Sequence, residues 1–543
     1  MKAIHATPKE IRKIFSDRYI IPDFQRAYSW ESDQCEKLWE DLINFFETKK
    51  SREERYFLGN IVIHPEKDAF VVIDGQQRLT TLLLLIKSFH LKAGTATILE
   101  ECLRIKDPLT SELTNELRLE SCVVDDDKKI LNDIIFNNGD KTAAGEPLKV
   151  NFELFKDKIE EWWKLHDNRA EPLNELILCL LDQVVILPIH CDNQDDALTI
   201  FETINDRGKP LNDTDIFKAK LYKEAGQNNG EVIDVWKELQ NEDIEWYFRM
   251  LMHIDRAQEG DYSKEKGLRT YFTEKSDYRL SDWRKVLDDL LKIKSISYSE
   301  LDEHIEILWR ILWTYPNSYW EIPLFVFLHK YGNFEDDVFS LEDVYVDDLK
   351  SLIEYTFKYF YIKGIVYNSV NTVKDTVFRV CVAIEKGEDY IKEYQKNLSS
   401  LDWDEFFKKM HGNQFGKCLK GIILLASYLN PAQKKDLFLE FLCCADKYDV
   451  EHILPRKWNN YDGWDEMTHE EDLDTLGNLL PLEKKQNISA SNEFFARKQK
   501  FYQTSKVQDA VDLLKEKEWT PETLHKWQKD KERRLKEFFS LGW

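Results

Sequence analysis

The sequence predicts a mostly helical α+β protein of several domains, and three observations carry that prediction. The chain has 543 residues, well beyond the ~250–300 at which a single hydrophobic core stops growing. Runs of β-branched residues fall before Cys191 and again after Asp446. Between them, residues 230–440 carry long amphipathic patterns rich in Trp, Tyr and Phe, at helical spacing. This suggests three domains, at 1–225, 226–445 and 446–543, the middle one helical and without a catalytic signature.

The elements follow in order. Thr7-Pro8-Lys9-Glu10 reads as a capping box with Pro at the first helical position, starting a short helix through about Phe15. Tyr19–Pro22 is extended, because Pro22 biases Ile21 away from helix. Leu38, Leu42, Phe45 and Phe46 predict a helix over Glu31–Lys49. Leu58–His64 and Phe70–Ile73, split by Pro65–Asp68, predict a strand pair. Asp74-Gly75 ends the second strand, and Gln76–His90 opens an apolar helix with Trp30, Trp39 and Leu82–Ile86 in the core. Val184–Ile189 is a strand returning to the same sheet. Asp195–Ile204 is a helix, Asn205–Leu211 a turn and Asn212–Tyr222 another helix. Leu301–Trp313 and Leu349–Tyr361 are typical amphipathic segments of the middle.

Bulk properties exclude several classes. Hydrophobic residues make up 43% and aromatic residues 13%, with 16 Trp, which argues against wholesale disorder. The net charge of −24 argues against a chain that coats nucleic acid through bulk charge. The tail is the exception: from Lys484 onward, 14 Lys/Arg face 9 Asp/Glu. It could attract DNA locally or be a solvated helix surface. Nine Cys, none in C-x-x-C spacing, argue against a Cys-based zinc site and read as reduced thiols of a cytoplasmic protein. No apolar signal core stands at the start and no run approaches a membrane span, so no membrane is expected.

The strongest chemical signal is carboxy-terminal. Asp449-Val450-Glu451-His452-Ile453-Leu454-Pro455 is followed by Leu476-Gly477-Asn478-Leu479-Leu480 and then Asn487. Hydrolysis of a phosphodiester needs an activated water and neutralised phosphate charge. His452 suits the general base, since imidazole titrates near neutrality. Glu451 and Asn487 offer the oxygen ligands that Mg²⁺ or Mn²⁺ prefers. Asn478 would hold the His tautomer or brace the loop. Val450–Leu454 reads as a strand, and Asn487–Ser491 leads into a helix from about Asn492 with Phe495, Lys498 and Tyr502 on one face. Asp449 is a second possible ligand, and His469, in an acidic loop, is a weaker alternative base and more simply solvated. This pattern resembles the HNH (ββα-metal) nuclease core.

The amino-terminal signal is an anion site. Ile21-Pro22-Asp23-Phe24-Gln25-Arg26-Ala27-Tyr28-Ser29-Trp30 places an amide beside a guanidinium. Asp74-Gly75-Gln76-Gln77-Arg78 does so again at a strand-to-helix junction. Free amides and the helix dipole face such a junction, and Gly75 lets a phosphate approach. Arg26 and Arg78 can each grip a phosphate with two bonds, and Asp74 could ligate Mg²⁺ or accept from a ribose hydroxyl. Arg and Asp at such a turn also form plain structural ion pairs. His64, His90 and His190 read as packing residues.

These motifs, with Phe57-Leu58-Gly59-Asn60-Ile61 and Phe201–Leu211 followed by Asp215 and Lys218, resemble the ParB/sulfiredoxin-like amino-terminal domain of GmrSD-type restriction endonucleases. The carboxy-terminal pattern resembles that family's HNH-type domain, down to Lys529, Arg533, Arg534 and Trp543 of a closing helix. The resemblance covers about residues 8–225 and 446–543. It implies binding and hydrolysis of an NTP, with Gln25, Arg26, Asp74, Gln77, Arg78, Asn205 and Arg207 near the phosphates. It also implies cleavage of modified double-stranded DNA, such as glucosylated phage DNA, in anti-phage defence. A nucleotide-regulated nuclease on RNA or backbone-modified DNA reads the same, as does a DNA-binding regulator with a degenerate HNH block. The sequence is compatible with any NTP and with a homo-oligomer.

Overall fold

The computed structural model of the chain describes residues 5–540, except 24, 95–96, 108, 124, 193–195, 198–199, 201–212, 240–242, 275–276, 298, 336–337, 368–371, 399–402, 444–447, 458 and 462. Two compact units divide it, Met1–Gln240 and Asn241–Trp543. The architecture is α+β and mostly helical, as the patterning predicts.

Seven strands of the first unit form one mixed sheet: β1 (His5–Ala6), β2 (Lys9–Glu10), β3 (Tyr19–Ile21), β4 (Tyr56–Glu66), β5 (Ala69–Asp74), β6 (Leu119–Ser121) and β7 (Val184–His190). The order is β1-β7-β4-β5-β3-β6, with β2 also paired to β7. β4 and β5 are the expected antiparallel pair, and β7 returns beside β4 in parallel register. β3 runs parallel to both β5 and β6. Helix Gln76–Ala93 follows β5 directly, and every residue of Leu82–Ile86 is fully buried. It packs against helices Pro147–Leu165 and Ala170–Gln183. A fully buried Leu is worth roughly 1.5–3 kcal/mol of transfer free energy, so this run anchors the unit. Trp39 is buried, and Trp30 is half-buried against the same core.

The capping box at Thr7–Glu10 does not form. Lys9 and Glu10 pair with Ile186 and Val185 instead, and the helix spans only Ile11–Ile14 with Glu10 at its cap. A long-range ladder has overridden the local signal. The helix after the third motif runs Asp213–Ala225. Most of the helix expected at Asp195–Ile204 and all of the turn after it lie outside the described residues.

The second unit is helical apart from small two-stranded ribbons. One ribbon is antiparallel, β8 (Tyr448–His452) on β9 (Leu479–Glu483), with His452 opposite Leu479. The sequence reading separates a helical middle from a carboxy-terminal block at residue 446. Here both lie in one unit, because the closing helix Pro521–Ser540 packs on Trp403–His411 and Leu419–Tyr428. A buried ion pair fastens it: Arg534 Nη1 donates to Asp509 Oδ1 at 2.9 Å and to the Ala426 carbonyl at 3.1 Å. Among the described residues no cysteine is in a disulfide, and no helix is long and apolar enough to cross a membrane.

Candidate functional site

Each unit carries a cluster of the side chains that the sequence motifs single out. In the second unit, β8, β9 and the short helix Lys484–Ala490 follow one another as a ββα unit, and the helix packs on both strands. His452 ends β8 with its side chain 9% exposed. Its Nε2 lies 3.0 Å from Asp474 Oδ1 and 3.4 Å from Arg456 Nε. With the proton on Nε2 the ring donates to Asp474 and leaves Nδ1 as an acceptor, which a general base requires. Burial holds the imidazole below its usual pKa; Asp474 opposes this and Arg456 adds to it. Burial thus favours the neutral ring.

Asn478 is fully buried. Its amide donates to the carbonyls of Leu473 and Leu454 and accepts from the Leu454 N–H at 2.6 Å. It braces the loop, the second of its two expected roles, and the partner of the imidazole is Asp474. The closing helix supports the same turn. Gln528 accepts from the Gly477 N–H, and Lys531 Nζ donates to the Leu479 carbonyl at 2.6 Å.

Glu451 departs from expectation. Strand alternation turns it away from His452. It is 2% exposed, and its Oε1 accepts from Lys498 Nζ at 2.8 Å and Tyr502 Oη at 2.7 Å. Lys498 also donates to the His452 carbonyl at 2.5 Å, tying the strand end to helix Phe495–Tyr502. Burial raises the Glu451 carboxyl and lowers the Lys498 ammonium, while each opposes the other's shift. Asn487 sits half-buried within helix Lys484–Ala490, not ahead of a helix as expected; Ser491, at φ 47°, then breaks the chain before Phe495. No group of three His, Cys, Asp or Glu side chains among the described residues is arranged to hold a metal ion. The expected ion site at Glu451 and Asn487 does not fit this arrangement. His469 is also corrected: it is buried, with Nε2 2.8 Å from the Pro455 carbonyl. In the tail, Arg533 and Arg534 pair with acids of their own helix, while Lys529 stays exposed.

In the first unit, Gly75 adopts φ 89° and caps helix Gln76–Ala93. A Cβ there would come within 2.5 Å of Ile61 Cγ2, so only glycine fits. Gly75 supplies no side-chain cap to this helix; a helix start of this kind can turn its first amides to an anion. Arg78, one turn in, donates to the Asn60 carbonyl at 2.5 Å. Its guanidinium lies against Gly59, where a Cβ would stand 3.1 Å from Arg78 Cζ. Asp74 is pushed up by burial, opposed by its hydrogen bond from the Gly75 backbone and by Arg78 and Arg26. Asp215 is likewise raised by burial and opposed by Arg26 and Lys218, and burial brings Lys218 down to about 8.

Two amides of the motifs serve the backbone. Gln25 Nε2 donates to the Ile73 carbonyl at 3.0 Å. Gln77 accepts from the Ser29 N–H at 2.8 Å and donates to the Ala27 carbonyl at 3.0 Å. They pin the 25–30 loop over the helix start and leave Arg26 exposed. Gln76 is buried and lines, with Arg26 and Tyr28, a narrow crevice beneath that loop. Asn205 and Arg207 lie outside the described residues. Arg26 lies close enough to oppose the burial shift of both Asp74 and Asp215, Arg78 that of the first and Lys218 that of the second. His64 is buried and His190 half-buried, both held below the usual imidazole pKa by burial, and His90 faces Glu100 at 3.3 Å.

Two family models match the chain, one over each cluster. Residues 11–222 match the GmrSD restriction endonuclease N-terminal domain. Residues 402–530 match the GmrSD restriction endonuclease C-terminal domain. An uncharacterized protein of Methanocaldococcus jannaschii, MJ0686, is 22% identical over 285 residues, 46% of this chain and 48% of that protein. The chain thus spans about half the length of this curated relative. With β3 to β7 of the first unit's sheet and the ββα turn each inside a matched segment, the chain belongs to the GmrSD restriction endonuclease family, carrying its N- and C-terminal domains on one polypeptide.

Proposed function

We infer that the chain is a nucleotide-regulated endonuclease that cuts modified foreign DNA in anti-phage defence, with His452 as the base. The observation that carries this reading is the His452–Asp474 pair at the end of the β8–β9 ribbon. His452 takes a proton at Nδ1 from water as its oxygen bonds to phosphorus and the bond to the leaving sugar oxygen breaks. Asp474 fixes the ring and stabilises the imidazolium that forms. The exposed guanidinium of Arg456 is placed to meet a phosphate oxygen. A divalent ion, if bound, would neutralise charge on the phosphate, and its ligands would be other than the Glu451–Asn487 pair.

The front cluster supports an NTP site. Arg26 and the uncapped helix start would receive phosphates, with Asp74 and Asp215 as the acidic partners. Hydrolysis there would report DNA state to the cutting unit.

The test is a cleavage assay on plain, hydroxymethylated, glucosylated and phosphorothioated DNA, with and without each NTP. Wild-type protein should cut a base-modified DNA. His452→Ala should lose about 10²–10⁴ in rate while keeping NTP hydrolysis. Cleavage by His452→Ala at the wild-type rate would sink the assignment.

A further inference from the structure

The His452–Asp474 contact depends on where the backbone puts Asp474. Its side chain is 77% exposed, and among the described residues it bonds only the His452 ring. Its place is therefore set by the chain around it. The Thr475 N–H and hydroxyl both donate to the Asp472 carbonyl, at 3.3 and 2.8 Å, closing the backbone about Asp474. Leu476–Asn478 then make a single 3₁₀ turn, and all three of its residues are buried.

The first amides of such a turn have no partner within it. Thr475 supplies no side-chain cap to it. Two of the amides are answered by residues distant in sequence. The Gly477 N–H donates to Gln528 Oε1 of the closing helix, and a Cβ on Gly477 would stand 2.7 Å from the Leu524 carbonyl, so turn and helix meet closely. The Leu476 N–H donates to Asn413 Oδ1 at 2.8 Å, and Gln528 Nε2 donates to the same oxygen at 3.3 Å. A buried amide left unanswered is costly, so these bonds fix where the turn sits.

Asn413 lies outside the ββα sequence. It follows helix Trp403–His411 at φ 53°, with its own N–H on the Met410 carbonyl at 3.1 Å and the Gln414 N–H on the Lys409 carbonyl at 2.8 Å. Glycine takes this left-handed helix ending most readily and asparagine less often. Glycine would serve the backbone here; what asparagine adds is an oxygen that reaches Leu476. The far end of the turn has anchors of its own, since Lys531 holds the Leu479 carbonyl and β9 pairs Leu479 with His452. The near end, two residues from Asp474, has Asn413.

We propose that Asn413 is a positioning residue of the cutting site: its side-chain oxygen, reaching in from the end of a helix outside the ββα sequence, holds the turn that presents Asp474 to His452. The role rests on the restriction reading above. Among the described residues Asn413 bonds neither His452 nor Asp474, so it acts through the turn alone.

The experiment measures kcat and KM for cleavage of base-modified DNA by the full-length protein, in a double-mutant cycle. Asn413→Gly suits the left-handed ending and deletes the oxygen. It should lower kcat about five- to ten-fold and leave KM unchanged, because the misplaced carboxylate serves the reaction and not the holding of DNA. Asn413→Asp tolerates the same backbone and keeps an acceptor for Leu476, so it should stay within about two-fold of wild type. In an Asp474→Asn background, Asn413→Gly should cost no more than about two-fold, because the group it positions is already gone. Wild-type kcat in Asn413→Gly, an equal loss in Asn413→Asp, a change in KM alone, or the same fold-loss in both backgrounds would overturn the proposal. Wild type and His452→Ala are measured alongside. A wild type that does not cut, or a His452→Ala protein that cuts at the wild-type rate, removes the restriction reading and this role with it. Cutting that needs His452 and ignores Asn413 removes this role alone.

Discussion

The two clusters use neighbouring residues in opposite ways. At the front, the amides Gln25 and Gln77 hold the backbone, and the charged neighbour Arg26 is left to solvent. At the rear, the charged Glu451 is drawn into the core, and its neighbour His452 meets the Asp474 carboxylate at the strand end. A motif therefore does not label every member as a ligand. Alternation along a strand, or the clamping of a loop, divides each motif into a half that builds and a half that acts.

Predictions that test this division follow from it. The largest effect should come from Glu451→Ala, which strands the Lys498 ammonium in the core; both side chains are almost wholly buried. Thermal or urea denaturation should show a loss of about 3–5 kcal/mol, and the double change Glu451→Leu with Lys498→Met should restore most of it. Loss of cleavage with undiminished stability would instead return Glu451 to the catalytic group. Asp474→Asn should lower the cleavage rate by about ten- to a hundred-fold, since the ring loses its orienting carboxylate.

The pH profile sharpens the same point. His452 is held below its usual pKa by burial, so its neutral form favours the folded state. That contribution is present above the unfolded pKa and fades as pH falls through the folded one. The acid limb of the cleavage profile should move to lower pH in Asp474→Asn, which removes a raising influence, and to higher pH in Arg456→Gln, which removes a lowering one. At the front, Gly59→Ala places a side chain at φ 121° and against Arg78. It should lower stability by about 1–3 kcal/mol and reduce NTP turnover. The smallest effect on stability, within about 0.5 kcal/mol, should come from the exposed Arg26→Gln, which should nonetheless weaken nucleotide binding about ten-fold.

Much of this was legible where the cause is local. The helix at Ser32–Thr48, the apolar helix after Gly75 and the strands β4, β5 and β7 follow from periodicity and from Gly and Pro placement. What could not be read depends on residues distant in sequence. Glu451 meets Lys498 only because helix Phe495–Tyr502 docks beneath β8. A signal existed: Lys498 shares its helical face with Phe495 and Tyr502, and a Lys on an apolar face implies a buried counter-charge. Asp474 gave no such signal, being one acid in an acid-rich loop. The strand at Lys9–Glu10 was hidden because its partner lies about 175 residues away.

The contact of Lys498 with the His452 carbonyl bears on how the molecule can be dissected. The imidazole's strand is riveted by a residue far downstream, and the turn beside it is shored up by Gln528 and Lys531 later still. A fragment that stops after helix Lys484–Ala490 would contain the whole ββα sequence and yet lack the scaffolding that gives it shape. Any excised nuclease module must therefore run through the closing helix.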